Sequence, residues 1–378
     1  MPDKRNIFIC TSVHRWNDPR IFYKEAASLT KKYNVELHAP AEFDFKEEKG
    51  VKIFGLPSWH KVADRKKIRK ELLKRIRRST ADMFHFHDPE LIFLGLYVKI
   101  FKRKIVIYDI HEDYYSQILL KKWIPTKFIR TIVAIIYSFI EKLFCNSFDL
   151  IIFAESYYKE SFSQKIIDKS IDILNYPIID EIKSITGNNE YVKIIYTGTI
   201  TEDRGAINMI KCLRELIERD CKIKLFLVGY LNDENIISLI EKDAELSNNI
   251  AMIGKREYVD KSVIDNQYSD ADIGLALISS KAHYEKKLLT KFYEYMHNEI
   301  PIVISNYNKW EKFILDTECG ICVDPDNTIE TANAVKYLID NPTIAKQMGK
   351  NGSKAVKEKY NWLTQETKLL AVMDQFNH

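Results

Sequence analysis

A chain of 378 residues, 46% hydrophobic and 29% charged, is too long for one comfortable core and reads as a folded protein of two domains. Its net charge of +4 is uneven: residues 1–180 hold 32 Lys/Arg against 23 Asp/Glu and the rest 25 against 30, so an anionic partner is expected for the first half only. Six scattered cysteines argue against a disulfide framework, Cys319-x-x-Cys322 has no second pair to make a zinc site, and no apolar run is long enough for a secretory signal or a membrane span, so a cytoplasmic protein with reduced thiols is expected.

Strand and helix alternate along nearly the whole chain. A first strand is expected over 6–11, then a helix over 20–31 with Ile21, Phe22, Ala26 and Leu29 on one face. Strands follow at 35–39 and 51–54, a basic helix at 61–78, a strand at 83–87, a helix at 89–101 and a strand at 105–110. A long helix at 125–145 and a strand at 149–154 complete the first half. The polar run 183–189 reads as a linker. Alternation restarts with a strand at 192–197, a helix at 208–219, a strand at 225–228, a helix at 236–246, and strands at 250–253 and 273–276. A helix carrying Glu294, strands at 302–304 and 320–323 and two closing helices end the chain. Such an order predicts an α/β protein with two doubly wound, Rossmann-like domains, 1–182 and 190–361.

Sheets of this kind bind ligands beyond the carboxyl ends of their strands. His14 and Asp18 follow the first strand. His87 and Asp88 end the strand at 83–87, where Asp88 reads as a cap for the helix that Pro89 begins. His85 and His87 share a strand face, but with Asp88 they find no further ligand at metal spacing, so no metal is expected. His111, Glu112 and Asp113 end the strand at 105–110, and two carboxylates there suit the hydroxyls of an acceptor. In the second half Gly198 ends a strand and a loop follows in which Arg204 precedes Gly205 and a helix. A guanidinium so placed can fork onto a diphosphate. The segment Leu289 to Ser305 delivers Glu294 on a short helix, then turns through Pro301 into the buried strand Ile302-Val303-Ile304. The free N–H groups opening that helix suit a phosphate, and the carboxylate suits a sugar's hydroxyls, so this site should bind a nucleotide-sugar.

Between Lys61 and Arg78 stand ten Lys/Arg and two acids, with Leu72, Leu73 and Ile76 as an apolar stripe. Residues 119–128 add aromatics beside lysines. Both suit an anionic bilayer; nothing supports nucleic acid, since no aromatic-plus-basic sheet signature accompanies the charge.

Glu294-Tyr295-Met296 followed by Ile300-Pro301-Ile302-Val303 resembles the donor-site helix of family 4 glycosyltransferases, the retaining group with the GT-B fold. The run Cys319 to Pro325, then Asn341-Pro342, Met348-Gly349 and Tyr360-Asn361-Trp362, resembles that family's closing elements. Asp18-Pro19-Arg20-Ile21-Phe22 is similar to a stretch in bacterial polysaccharide-assembly enzymes. The resemblance spans nearly the whole chain. It implies two domains facing a cleft, the first for the acceptor and the second for the nucleotide-sugar, with a last helix (362–378) crossing back to the first domain. It implies that Glu294 holds the donor ribose, that Arg204 meets the diphosphate and that His111 lies against the donor sugar, these three being the catalytic set. The donor set becomes Gly198, Thr199, Arg204, Lys286, Thr290, Lys291 and Glu294; the acceptor set becomes His14, Asp18, His87, Asp88, Glu112 and Asp113. Two positions depart from the family pattern. Lys286 stands where its first glutamate falls, with Glu285 one residue off, and the neutral Thr199 stands where its loop has a first basic residue. The implied activity is retaining transfer of a hexose-type unit from a UDP- or GDP-linked sugar to a glycan or lipid-linked acceptor in surface-polysaccharide (capsule or exopolysaccharide) assembly, without metal or cofactor. A non-hydrolysing nucleotide-sugar epimerase and an inactive nucleotide-sugar-binding paralogue are the rivals.

Overall fold

The computed structural model describes residues 4–59, 64–121, 124–179, 190–279 and 284–376; Lys61, Trp123 and the expected linker at 183–189 lie outside them. The chain divides into two compact units, residues 1–175 with 362–378, and residues 176–361.

The first unit is built on an eight-stranded sheet in the order β3-β4-β2-β1-β5-β6-β7-β8. Its strands are β1 (Asn6–Cys10), β2 (Asn34–Pro40), β3 (Phe45–Glu48), β4 (Val51–Leu56), β5 (Met83–Phe86), β6 (Ile105–Ile110), β7 (Leu150–Phe153) and β8 (Ser170–Asp172). All pairings are parallel except the β3–β4 edge. Along β1 the pleat sends Ile7 and Ile9 into one apolar core and Phe8 and Cys10 into the other, so both faces are covered. The helix Arg65–Arg78 turns Ile68, Leu72 and Ile76 into the second core. That corrects the expectation of a lipid-facing stripe on this helix: the sheet already occupies its apolar side, and the lysines face outward. The helix expected over 20–31 is a π-helical turn, Pro19–Ala26, running on into Ala27–Leu29, with Asp18 accepting from the backbone N–H of Arg20 and Ile21.

Residues from the chain's far end complete the first core. The helix Trp362–Asp374 contributes Trp362, Leu369, Val372 and Met373 to it. The Trp362 indole N–H donates to Ser28 Oγ at 2.9 Å, and that hydroxyl donates to Glu366 at 2.8 Å.

The second unit is a six-stranded parallel sheet in the order β11-β10-β9-β12-β13-β14. The strands are β9 (Val192–Thr197), β10 (Ile223–Leu231), β11 (Ile250–Lys255), β12 (Ile273–Ala276), β13 (Ile302–Ser305) and β14 (Gly320–Val323). From β9 the chain builds outward through β10 and β11, then returns to the other side of β9 with β12. The carboxyl end of β9 is therefore a topological switch point, where side chains and loops diverge and leave room for a ligand.

Trp362→Ala should lower unfolding stability in urea by about 3–5 kcal/mol, the usual cost of emptying a buried tryptophan site. A loss under about 1 kcal/mol would mean that this helix is not part of the first unit's core.

Candidate functional site

Four of the residues singled out in the second half gather at the end of β9. Gly198 leaves that strand with φ +108°, a conformation that favours glycine, and a Cβ there would stand 3.7 Å from the Lys291 amine. Lys291 lies in the helix Thr290–His297, buried, with Nζ 3.5 Å from the centroid of the Tyr196 ring and no hydrogen-bond partner among the described residues. Burial, reinforced by the Arg204 charge, holds its pKa well below the usual lysine value, while Glu294 pulls the other way.

Arg204 closes the 3-10 turn Glu202–Arg204, and its charge acts on the Tyr196 side chain. The next residue, Gly205, has φ +82°, and a Cβ would sit 1.9 Å from the Leu277 carbonyl oxygen. No side chain fits there, which is how the turn comes to lie against the segment following β12. Glu294 is half-buried and accepts from Tyr268 Oη at 2.8 Å. The same hydroxyl meets Thr197 Oγ1 at 2.8 Å, and Tyr295 Oη accepts from the Thr197 N–H at 3.1 Å. Tyr268, which orients the carboxylate, escaped the sequence reading because its helix, Lys261–Tyr268, buries little and shows no strong apolar period. Thr290 is exposed at the start of the Glu294 helix, where Leu289 supplies no side-chain cap. Thr199 offers its carbonyl to Tyr196 Oη at 3.1 Å. Lys286 is exposed, and its carbonyl accepts from Lys309.

The first unit concentrates its polar groups at the carboxyl ends of β1, β5 and β6. His14 and His111 meet Nε2 to Nε2 at 2.9 Å, so one ring donates to the other. His14 also faces Asp18 at 3.4 Å and Asp88 at 3.6 Å; despite burial, these acids push its pKa up to about 9. Asp88 is buried and bound to Thr11 Oγ1 at 2.7 Å and the Ser12 N–H at 2.6 Å, and it makes no cap bond to the helix at Pro89. Asp113 caps the helix Tyr114–Leu120 through the Ser116 N–H. Glu112 stays half-exposed. His87 is 1% exposed and turns toward Glu25. The acceptor-lining role expected of His87 and Asp88 falls on two buried side chains, His87 turned toward Glu25 and Asp88 lying beside His14.

Beneath the His14–His111 pair lies a fully buried polar cluster that the sequence reading did not assemble. Arg20 pairs with Asp109 Oδ2 at 2.6 Å and with Glu25 Oε1 at 2.9 Å. His85 and His87 approach the other Glu25 oxygen at 3.6 and 3.7 Å. Burial drives His85 down to about 4 and His87 well below its normal value, and it raises Glu25 well above the carboxylate range. Asp109, against its burial, is held low by Arg20. Glu25, rather than Asp88, is the acid closest to both histidines, and Asp109 lies within 4.8 Å of all three.

Comparison with known proteins finds a family likeness in the second unit. Residues 178–355 match the family model described as "Glycosyl transferases group 1". The chain is 27% identical over 188 residues to the alpha-D-kanosaminyltransferase of Streptomyces kanamyceticus, covering 48% of this chain and 45% of that protein. It is 22% identical over 178 residues to the capsular polysaccharide biosynthesis glycosyltransferase CapM of Staphylococcus aureus, covering 46% and 43%. The matched stretch thus spans less than half of each curated relative. Among solved structures, Anabaena HepE in complex with UDP-glucose aligns with a TM-score of 0.67 at 12% identity, over 98% of this chain and 99% of that one. The fold is GT-B. Residues 178–355, a little under half of the chain, are thus similar to the group 1 glycosyltransferases.

A buried amine with a depressed pKa takes up a proton when an anion arrives beside it. Calorimetric binding of a nucleoside diphosphate, repeated at rising pH through the range where the free amine loses its proton, should therefore show an enthalpy that varies with the buffer's ionisation heat in the direction of proton uptake. The variation should vanish in Lys291→Met. A buffer-independent enthalpy in the wild type would show that Lys291 does not meet the ligand's charge.

Proposed function

We propose that this protein is a retaining glycosyltransferase that moves a hexose-type unit from a UDP- or GDP-linked sugar to a glycan or lipid-linked acceptor in cell-surface polysaccharide assembly. One observation carries the reading: a buried, unpartnered amine and a guanidinium stand beside a half-exposed carboxylate at the switch point of the second sheet. Two cations suit a diphosphate, and the carboxylate suits ribose hydroxyls. Lys291 supplies the second positive charge that the neutral Thr199 does not. As the glycosidic bond breaks, negative charge grows on the leaving diphosphate, and cations already in place favour that charge without reorganising. His111 is assigned to the donor sugar, and His14, Asp18 and Glu112 to the acceptor. No metal is assigned to the transfer step. CapM's role in capsular polysaccharide biosynthesis and the UDP-glucose bound to HepE support the choice of donor and pathway class.

We infer further that the first unit rests on an anionic membrane. No described helix is long and apolar enough to cross one. The helix Lys127–Cys145, however, exposes Phe128, Ile132, Ile135, Phe139 and Leu143 along one face, with Phe128 74% and Phe139 67% exposed. Phe93, whose ring packs on Phe144 of that helix, is exposed as well. This apolar face takes the role that the buried stripe of Arg65–Arg78 does not fill, and the outward Lys66, Lys67, Lys70 and Lys74 add charge.

Incubation with a panel of nucleotide-sugars and a cell-envelope lipid extract should release nucleoside diphosphate only when both are present. Glu294→Ala should weaken nucleotide binding by about 1.5–3 kcal/mol. A released sugar epimer without acceptor would favour the epimerase, and no turnover with any donor would favour an inactive binder.

On vesicles rich in phosphatidylglycerol at low salt, the wild type should sediment, and a variant with Phe128, Ile135 and Phe139 replaced by serine should not. A wild type that stays in the supernatant would sink the membrane reading.

A further inference from the structure

The buried cluster of the first unit has the composition and spacing of a metal site. Glu25, His85, His87 and Asp109 each present one ligand atom, all within 4.8 Å of one another, and all four side chains are buried. They come from three elements: Glu25 from the π-helical turn Pro19–Ala26, His85 and His87 from β5 and the residue after its end, and Asp109 from β6. Glu25 Oε2, both histidine Nε2 atoms and Asp109 Oδ1 have no hydrogen-bond partner among the described residues. Four orphaned acceptors or tautomer-adjustable nitrogens facing one point, away from water, are costly unless something satisfies them together.

The geometry suits a small divalent ion. Around zinc, nitrogen and oxygen ligands at about 2.0–2.2 Å in a tetrahedron lie roughly 3.4 Å apart. The His85 and His87 contacts to Glu25 Oε2, at 3.6 and 3.7 Å, are close to that spacing and too long for hydrogen bonds. Arg20 pairs with the remaining oxygen of each acid, Glu25 Oε1 and Asp109 Oδ2, which leaves Oε2 facing His85 and His87 and Oδ1 free of Arg20 within 4.8 Å of them. Fixing the unused oxygen of a ligating carboxylate is what an outer-shell partner does. Both acids together balance the charge of a divalent ion, leaving the Arg20 charge over.

We propose that Glu25, His85, His87 and Asp109 bind one first-row divalent cation, of the zinc type that accepts two imidazoles and two carboxylates, in a closed site inside the first unit. The ion holds the ends of β5 and β6 to the turn after Asp18. Through Asp109 it also orients His111, whose Nδ1 lies 3.5 Å from Asp109 Oδ1. Its role is positional, and the site stands whether or not the glycosyltransferase reading does.

The test uses the full chain, stripped with a chelator, dialysed and titrated with Co²⁺ and with Zn²⁺. Binding of about one equivalent is expected, with the intense visible absorption of low-coordinate Co²⁺ and a melting temperature that rises with Zn²⁺ concentration. Glu25→Gln and His87→Asn should each weaken binding at least about tenfold. His14→Ala, which removes a member of the neighbouring His14, Asp88 and His111 group, should leave the spectrum unchanged. The proposal is overturned if the stripped wild type binds neither ion, if neither ion raises its melting temperature, or if His14→Ala abolishes the spectrum while Glu25→Gln does not. Should the cluster variants fail to fold, the stripped and reloaded wild type alone decides by stoichiometry and melting temperature.

Discussion

The amine of Lys291 is buried, close to a guanidinium and without a hydrogen-bond partner among the described residues. Such a group is destabilising while it lacks a partner, and the surrounding backbone is arranged to keep it there. Gly198 leaves open the space in front of the amine, Tyr196 lies against it, and Gly205 lets the Arg204 turn approach closely. On the function proposed above, an anion arriving at the end of β9 supplies the missing partner, and that requirement makes binding selective for negatively charged groups.

The order of elements was legible from hydrophobic pattern alone, and the central strands β1, β9 and β13 fall where short apolar runs place them. Elements without such runs were not legible. β3 reads Phe45-Lys46-Glu47-Glu48, an edge strand held by its antiparallel partner rather than by burial, and β8 is only three residues long. The helix expected over 89–101 breaks into a 3-10 turn, a short helix and a π-turn ending at Arg103 in the left-handed region, which no periodicity signals. At the candidate site, Glu294 and Arg204 stood out through their neighbours in sequence. Tyr268 was not, because what matters about it is a hydroxyl that reaches Glu294 from a different helix.

The same limit applies with more force in the first unit. His85 and His87 were seen as a pair on one strand face, yet their partners Glu25 and Asp109 lie 60 and 24 residues away from His85 in sequence. Only the sheet order, with β1 beside β5 and β5 beside β6, makes them neighbours. Asp109 is buried by its strand and charged because of Arg20, a residue that in sequence looked like part of a family signature rather than a counter-ion. The outer pair, His14 and His111, then rests on this inner network through the contact between His111 and Asp109. Polar chemistry at the surface of the unit is thus supported from within by charges that would be prohibitively unfavourable alone.

A crystal structure of the protein with a bound nucleoside diphosphate tests the central claim most directly. The account predicts a phosphate oxygen within about 3 Å of Lys291 Nζ, with Arg204 on the same diphosphate and a ribose hydroxyl on Glu294. Nucleotide bound elsewhere, or bound at the end of β9 with the Lys291 amine still unpartnered, would contradict it.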